Sequence, residues 1–299
     1  MRLYQKPLQF FSALLFVGGV GCGQPQPTQL EKSLLWEISG QGLTQPSYLY
    51  GTMHLTCPNQ LVVPAKLQEK LANTKQLYLE LDMDDPNLPI AMLQNSAQKD
   101  GSTLKTLLSP QDYAIASQFF QQNVGIPLDK VGSMKPIILI GLLYPSLLGC
   151  QPGSWEATLI QLARTRNSEV LGLETVQAQF AIFDQIPAKD QAAMVMEVVK
   201  DPAQAKQELQ KLLAAYQAQD VNELYRMVAE ASPTEAQFEQ VLLKDRNQRW
   251  IPKIEQAAQA KPTFFAVGAG HLGGKSGVIP LLRQAGYTVK PVPLNPTSP

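Results

Sequence analysis

Two stretches near opposite ends of the chain share one construction. Ser47-Tyr-Leu-Tyr-Gly51-Thr-Met-His54 and Thr263-Phe-Phe-Ala-Val-Gly268-Ala-Gly-His271 each read as a short apolar strand that runs into Gly-x-x-His. Together they hold both histidines of the 299-residue chain. A strand that ends in a glycine turn sets the next polar side chain at the edge of a sheet, where open α/β sheets build their sites. Imidazole is the side chain best suited to move protons or bind metal near neutral pH. The repeat therefore predicts that the two ends of the chain meet in one sheet, with everything between them inserted.

The intervening sequence reads as mostly helix. Leu34–Ser39 and Ser47–Tyr50 alternate like two strands of a hairpin, and Gln76–Met83 alternates as a third strand. Pro64 opens a helix whose Leu67 and Leu71 share a face, and Ser109-Pro110 opens another that runs to about Asn123. Trp155–Arg166 is a further helix, followed by a strand at Glu169–Glu174. Val176–Ala260 is helical with breaks at Pro187, Pro202 and Pro233, and Ser232-Pro-Thr-Glu235 reads as a capping box. Thr263–Val267, Ile279–Ala285 and Thr288–Val292 close the chain as strand, helix and strand. The expected fold class is α/β (α+β), with a mixed central sheet formed by the N- and C-terminal strands and a long helical insertion between them. Residues 34–293 are expected to form a single domain, and 294–299 a flexible tail.

The first residues look like a targeting segment. Arg2 and Lys6 precede an uncharged, mostly apolar run from Leu8 to Val20, and Val20-Gly21-Cys22 offers small residues at a cleavage point. Residues 1–21 are expected to be a signal peptide. Cys22 fits a lipobox in which Gly19 stands where Leu is usual, and 22–33 would be a tether. The expected location is that of an exported bacterial lipoprotein, anchored to a membrane and facing the periplasm or the exterior. A formal net charge of zero gives no sign of nucleic-acid binding. The remaining cysteines, Cys57 and Cys150, rank first as a disulfide in an oxidising compartment, ahead of a free thiol or a metal ligand. The apolar run Ile137–Leu148 is too short to span a bilayer and reads as a buried helix.

Several familiar motifs fail on inspection. Gly268-Ala-Gly270-His-Leu-Gly273 matches G-x-G-x-x-G, but Glu255 is the last acidic residue of the chain, so no ribose-binding carboxylate follows. Gly274-Lys275-Ser276 ends like a P-loop whose first glycine would fall at Ala269. Ser47, Ser154 and Ser276 lack a nucleophile elbow. What remains is a metal set: His54, His271 and a carboxylate, for which Glu80 at the exit of the third strand is the best candidate and Asp82 a bystander.

Gly51-Thr-Met-His54, the strand ending in Glu80, Asp245-Arg246-Asn247 with Trp250, and Val267-Gly-Ala-Gly-His271 together resemble the TraB/GumN family of the Tiki/TraB superfamily. Gly172-Leu-Glu174-Thr and Gly286-Tyr-Thr-Val fit as well, and the resemblance runs from about Leu34 to Val292. It implies a metal-dependent protease, with manganese or cobalt favoured in the animal members, although the residues alone leave manganese, cobalt, zinc and iron open. His54 and His271 would be ligands, and Glu80 a ligand or general base. Asp245, Arg246 and Asn247 would line or brace the site, and in a hydrolase Arg246 would also stabilise an oxyanion. Gly51, Gly268, Glu156 and Glu174 would support it. The expected activity is hydrolysis of a peptide or protein. The rival is a non-enzymatic lipoprotein that uses the same histidines to hold haem or a metal.

Overall fold

The computed structural model describes residues 29–231 and 235–294. The expected signal peptide, Cys22, most of the expected tether, residues 295–299 and the expected capping box opened by Ser232 lie outside the described residues. Six strands, β1 (Leu35–Ser39), β2 (Ser47–Thr52), β3 (Gln76–Leu79), β4 (Glu169–Gly172), β5 (Thr263–Gly268) and β6 (Thr288–Pro291), form one sheet in the order β4-β3-β5-β2-β1-β6. β2, β3, β4 and β5 run parallel, while β1 pairs antiparallel with both β2 and β6. The mixed sheet expected from the repeat is therefore present, and its two carriers, β2 and β5, are direct neighbours.

Helix α1 (Ala65–Ala72) joins β2 to β3. Between β3 and β4 lie α2 (Leu88–Ser96), α3 (Leu104–Leu107), α4 (Pro110–Asn123), α5 (Leu128–Val131), α6 (Pro136–Leu148) and α7 (Trp155–Arg164). Between β4 and β5 come α8 (Val176–Phe183), α9 (Ala188–Lys200), α10 (Pro202–Gln217), α11 (Val221–Ala229), α12 (Glu235–Glu239) and α13 (Asp245–Ala260). A π-helical turn, Gln240–Lys244, separates the last two, and α14 (Val278–Gln284) precedes β6. The breaks follow the local chemistry. Pro187 and Pro202 stand at the starts of α9 and α10, and Asp220 caps α11 by accepting the Glu223 N–H at 3.1 Å.

The central strands β2 and β5 are buried along almost their whole length rather than on alternate residues, as strands covered on both faces are. Leu49, Phe264, Phe265 and Val267 are fully buried. The inserted helices add a second core, in which Phe120 of α4, Leu139 and Leu143 of α6, and Val195 of α9 pack together. The apolar run at 137–148 is spent there, and among the described residues no helix is long and apolar enough to cross a membrane. Cys57 and Cys150 form a disulfide that ties the loop after His54 to the end of α6.

One boundary departs from the sequence pattern. Alternation carries the third strand to Met83, yet β3 stops at Leu79. Beyond it the Glu80 carbonyl still accepts the Glu174 N–H at 2.9 Å, but the Glu80 side chain takes the Gly268 N–H at 2.8 Å. A side chain thus occupies a backbone donor at the strand exit, and the ladder ends.

Candidate functional site

Three neighbouring parallel strands end on one edge of the sheet, and each delivers one side chain. Thr52, the last residue of β2, pairs with Gly268, the last of β5. His54 follows β2 by two residues, and Glu80 follows β3 directly. His271 closes a 3-10 turn, Ala269–His271, directly after β5. The Nε2 atoms of His54 and His271 each lie 3.9 Å from the same Glu80 oxygen, Oε1. The glycines make this possible for different reasons. A Cβ on Gly51 would meet Leu272 Cδ1 at 2.7 Å and Ala269 Cβ at 2.9 Å, so the bare backbone lets the two turns touch. A Cβ on Gly268 would stand 3.2 Å from Glu80 Oε1 and 3.4 Å from His54 Nε2, inside the site itself.

Each imidazole is held through its other nitrogen. His54 Nδ1 donates to Glu156 Oε1 at 2.8 Å, and that carboxylate also accepts from Thr52 Oγ1 and from Ser154 Oγ. Ser154 caps α7, whose first turn carries Glu156, so the helix terminus favours the carboxylate there. Asn247 Nδ2 donates to the Ser276 carbonyl at 2.8 Å, which leaves its Oδ1 as the acceptor for His271 Nδ1–H at 2.7 Å. Both rings therefore turn Nε2 towards Glu80. A ring nitrogen fixed by a carboxylate or amide while the other faces inward is the arrangement found around metal-bound histidines.

Arg246 is the keystone of the buried side. Its guanidinium makes four hydrogen bonds: to Glu174 through Nε and Nη2, to Glu80 Oε2 through Nη2, and to His271 Nε2 through Nη1 at 3.0 Å. It also lies over the Trp250 ring, 4.7 Å from the centroid, and the His271 ring packs on Trp250 at 4.6 Å. Gln179 donates to both Glu80 and Glu174. Asp245 turns away from this network and accepts from Gln240 Nε2.

These contacts set the charge states. Burial disfavours the charged His271 ring, and the Arg246 charge adds to it, so its pKa falls to about 3. Burial also favours the protonated form of Glu80, but the Arg246 guanidinium and the Gly268 N–H outweigh it and hold the carboxyl well below the usual range. For His54, desolvation opposes the charge, yet the Glu156 hydrogen bond and the Glu80 charge push the pKa up to about 9.

Two buried carboxylates, Glu80 and Glu174, neither more than 9% exposed, thus share one guanidinium, while Glu156 faces His54. The convergence stops short of a coordination shell. Among the described residues no group of three or more His, Cys, Asp or Glu side chains is spaced to hold a metal ion. The physical reason is Arg246, whose N–H takes the His271 lone pair. In identity and orientation the donor set fits a divalent cation: two imidazoles braced through Nδ1, one ionised carboxylate, and an excess of acid that such a cation balances.

Sequence reading brought together His54, Glu80 and His271, and the resemblance added Glu156, Glu174, Arg246 and Asn247. Thr52 and Ser154, both bonded to Glu156, were missed, although Thr52 lies within the first Gly-x-x-His and Ser154 is a recognisable helix cap. Gln179 carries no signal in the sequence. The π-helical turn that ends at Lys244, two residues before Arg246, also went unseen, and such turns often mark functional sites.

Comparison with known proteins bears on this geometry. The model of the TraB/PrgY/gumN family matches residues 34–291. Metalloprotease TIKI2 of Danio rerio is 23% identical over 91% of this chain and 63% of its own length. Metalloprotease TIKI1 of the same species is 23% identical over 91% of this chain and 66% of its own. The chain thus spans just under two thirds of these two relatives. YbaP of Shigella flexneri is 24% identical over 79% of this chain and 88% of its own length. No solved structure matches.

Proposed function

The chain belongs to the TraB/PrgY/gumN family, and from that premise we propose that it is a metal-dependent hydrolase acting on peptide bonds. His54, His271 and Glu80 would hold one divalent ion. Manganese, cobalt, zinc and iron all suit two imidazoles and a carboxylate. The observation that carries this reading is the pair of Nε2 atoms, each 3.9 Å from one Glu80 oxygen and each fixed through Nδ1 by another side chain. The names of the TIKI relatives support the same chemistry and a protein substrate.

When bound, such an ion polarises a carbonyl and lowers the pKa of its water. The protein's own contribution is to keep the ligands ready. Burial and the Arg246 charge keep His271 neutral, and Arg246 keeps Glu80 ionised. That depressed pKa makes Glu80 a better ligand than general base. Arg246 is a brace in this arrangement, with its hydrogen bonds committed to Glu80, Glu174 and His271. The haem-binding alternative is less well supported, because an ionised carboxylate lies between the two rings where a haem binder needs an apolar slot. The membrane anchor at Cys22 belongs to the same proposal, and replacing Cys22 with Ser is expected to release the protein from membranes on cell fractionation.

Calorimetric titration with manganese, cobalt and zinc tests the centre. Wild type binds one ion, and His54→Ala or His271→Ala abolishes the signal. Metal affinity that survives loss of both histidines overturns the assignment. Glu80→Gln is expected to weaken metal binding together with peptide hydrolysis, whereas unchanged affinity with lost hydrolysis would restore Glu80 as the base.

A further inference from the structure

One hydrogen bond stands between the candidate centre and a cation. His271 spends its Nδ1–H on Asn247 Oδ1 at 2.7 Å, so the lone pair of the ring is on Nε2. Arg246 Nη1–H donates to that atom at 3.0 Å. A neutral imidazole offers a single acceptor nitrogen, and that nitrogen must be unengaged to ligate a metal. It therefore serves the guanidinium or an ion, but not both.

The other bonds of the guanidinium are outside this conflict. Nε and Nη2 both hold Glu174 Oε1, at 3.0 and 2.5 Å. Nη2 also meets Glu80, but at Oε2, whereas the Glu80 oxygen nearest the two imidazoles is Oε1. Glu174 is held in turn by Trp250 Nε1 and Gln179. The Trp250 ring meets both groups, 4.7 Å from the guanidinium carbon and 4.6 Å from the His271 ring. A small rotation of the guanidinium about its Glu174 contact breaks the bond to His271 and keeps the arginine charge paired with buried carboxylates.

We propose that Arg246 is a built-in competitor of the metal ion: Nη1 occupies the His271 ligand position, and an ion enters the centre only as that bond opens. The proposal rests on the metal-centre reading given above and concerns what limits that centre. The guanidinium lowers its affinity twice, by holding the His271 lone pair and by placing a positive charge beside Glu80. Arg246 thereby sets the ion concentration at which the centre fills, while its pairing with Glu80 and Glu174 balances the buried charge until then. An arginine that only braced the site would have the opposite effect on removal, because loosened ligands bind metal less well.

The sign of that effect is the test. Full-length wild type, Arg246→Gln and Arg249→Gln are titrated with zinc chloride or manganese chloride alone and followed by calorimetry. Glutamine at position 246 keeps a donor for Glu174. Arg249 is an exposed arginine three residues further along α13, so its replacement removes the same charge from the surface. Arg246→Gln is expected to bind at least about tenfold more tightly than wild type, the scale of one charge-assisted hydrogen bond. Arg249→Gln is expected to stay within about twofold of wild type. Binding detected in Arg246→Gln but not in wild type supports the proposal too. Unchanged or weaker binding in Arg246→Gln overturns it and leaves the metal centre standing, and an equal gain in Arg249→Gln overturns it as a general effect of charge. Failure of all three proteins to bind overturns the metal centre and the proposal together. If Arg246→Gln does not fold, a crystal structure of wild type with zinc decides. Nη1 is expected beyond hydrogen-bond reach of His271 Nε2 with Nε still on Glu174, and an Nη1–Nε2 contact that remains at 3.0 Å with zinc bound overturns the proposal.

Discussion

His54 and His271 arise from one motif and end in opposite electrostatic states. Each follows an apolar strand and a glycine three residues earlier, and each directs Nε2 at Glu80 Oε1 from 3.9 Å. The His54 ring is 62% exposed and rests on a carboxylate, which pushes its pKa up to about 9. The His271 ring is 7% exposed and lies between an amide and a guanidinium, and burial together with the Arg246 charge brings its pKa to about 3. The motif therefore fixes where an imidazole points, and the partner of each ring decides its charge. In the hydrolase reading this makes one half of the site a preformed neutral ligand and the other a ring that must lose a proton before it binds metal.

The largest break in the comparison comes from Arg246, which belongs to the buried half alone. Arg246→Met leaves Glu80 and Glu174 buried without their cation, and urea unfolding of the metal-free protein is expected to show a loss of about 3–5 kcal/mol. Glu156→Gln, the corresponding change on the open half, is expected to cost roughly 1–2 kcal/mol, because Thr52 and Ser154 can still bond the new amide. Equal losses from the two variants mean that burial does not separate the halves.

Acid exposes the buried half next. An unfolded chain protonates the His271 ring near pH 6.5, whereas the folded protein holds it neutral down to about 3. Stability from this residue is therefore complete above pH 6.5 and is lost as pH falls, by about 1.4 kcal/mol for each unit down to about pH 3. Urea midpoints between pH 7 and 5 measure the slope, and His271→Gln is expected to flatten it. An unchanged slope assigns the acid sensitivity to other groups.

The legible parts of the molecule are those whose signal is local. An apolar run followed by Gly-x-x-His announces β2 and β5, and alternation from Gln76 announces the strand that carries Glu80. The paired repeat with no further histidine is what placed both ends of the chain in one sheet. The illegible parts depend on residues far apart in sequence. Nothing near Arg246 shows that it will meet Glu174, 72 residues earlier, or Glu80, 166 residues earlier. The family resemblance names Arg246 and Asn247 as residues that line or brace the site, whereas the oxyanion role expected of Arg246 comes from hydrolase chemistry, and its hydrogen bonds are committed to Glu174, Glu80 and His271. The end of β3 was misread for the same reason, since the donor that stops the ladder comes from Gly268. Asp245 has the right neighbours in sequence, yet it follows a π-helical turn and bonds Gln240 instead.

The smallest effect sharpens the open half. His54 in the metal-free protein is expected to titrate at about 9 in a proton NMR experiment that follows its ring signals. A raised pKa stabilises the fold fully below the unfolded value of about 6.5, and that contribution disappears as pH rises through 9. Solvent reaches 62% of the ring and screens the pair, so the loss is expected to stay below about 1 kcal/mol. Glu156→Gln removes both the charge and the charged acceptor 2.8 Å from Nδ1, and the His54 pKa should fall towards 6.5. Glu80 lies farther away at 3.9 Å and spends its second oxygen on Arg246, so it is the weaker of the two anchors. A titration that stays near 9 in Glu156→Gln would move control of His54 from the α7 terminus to Glu80. The two imidazoles would then be governed from one shared carboxylate rather than from separate partners.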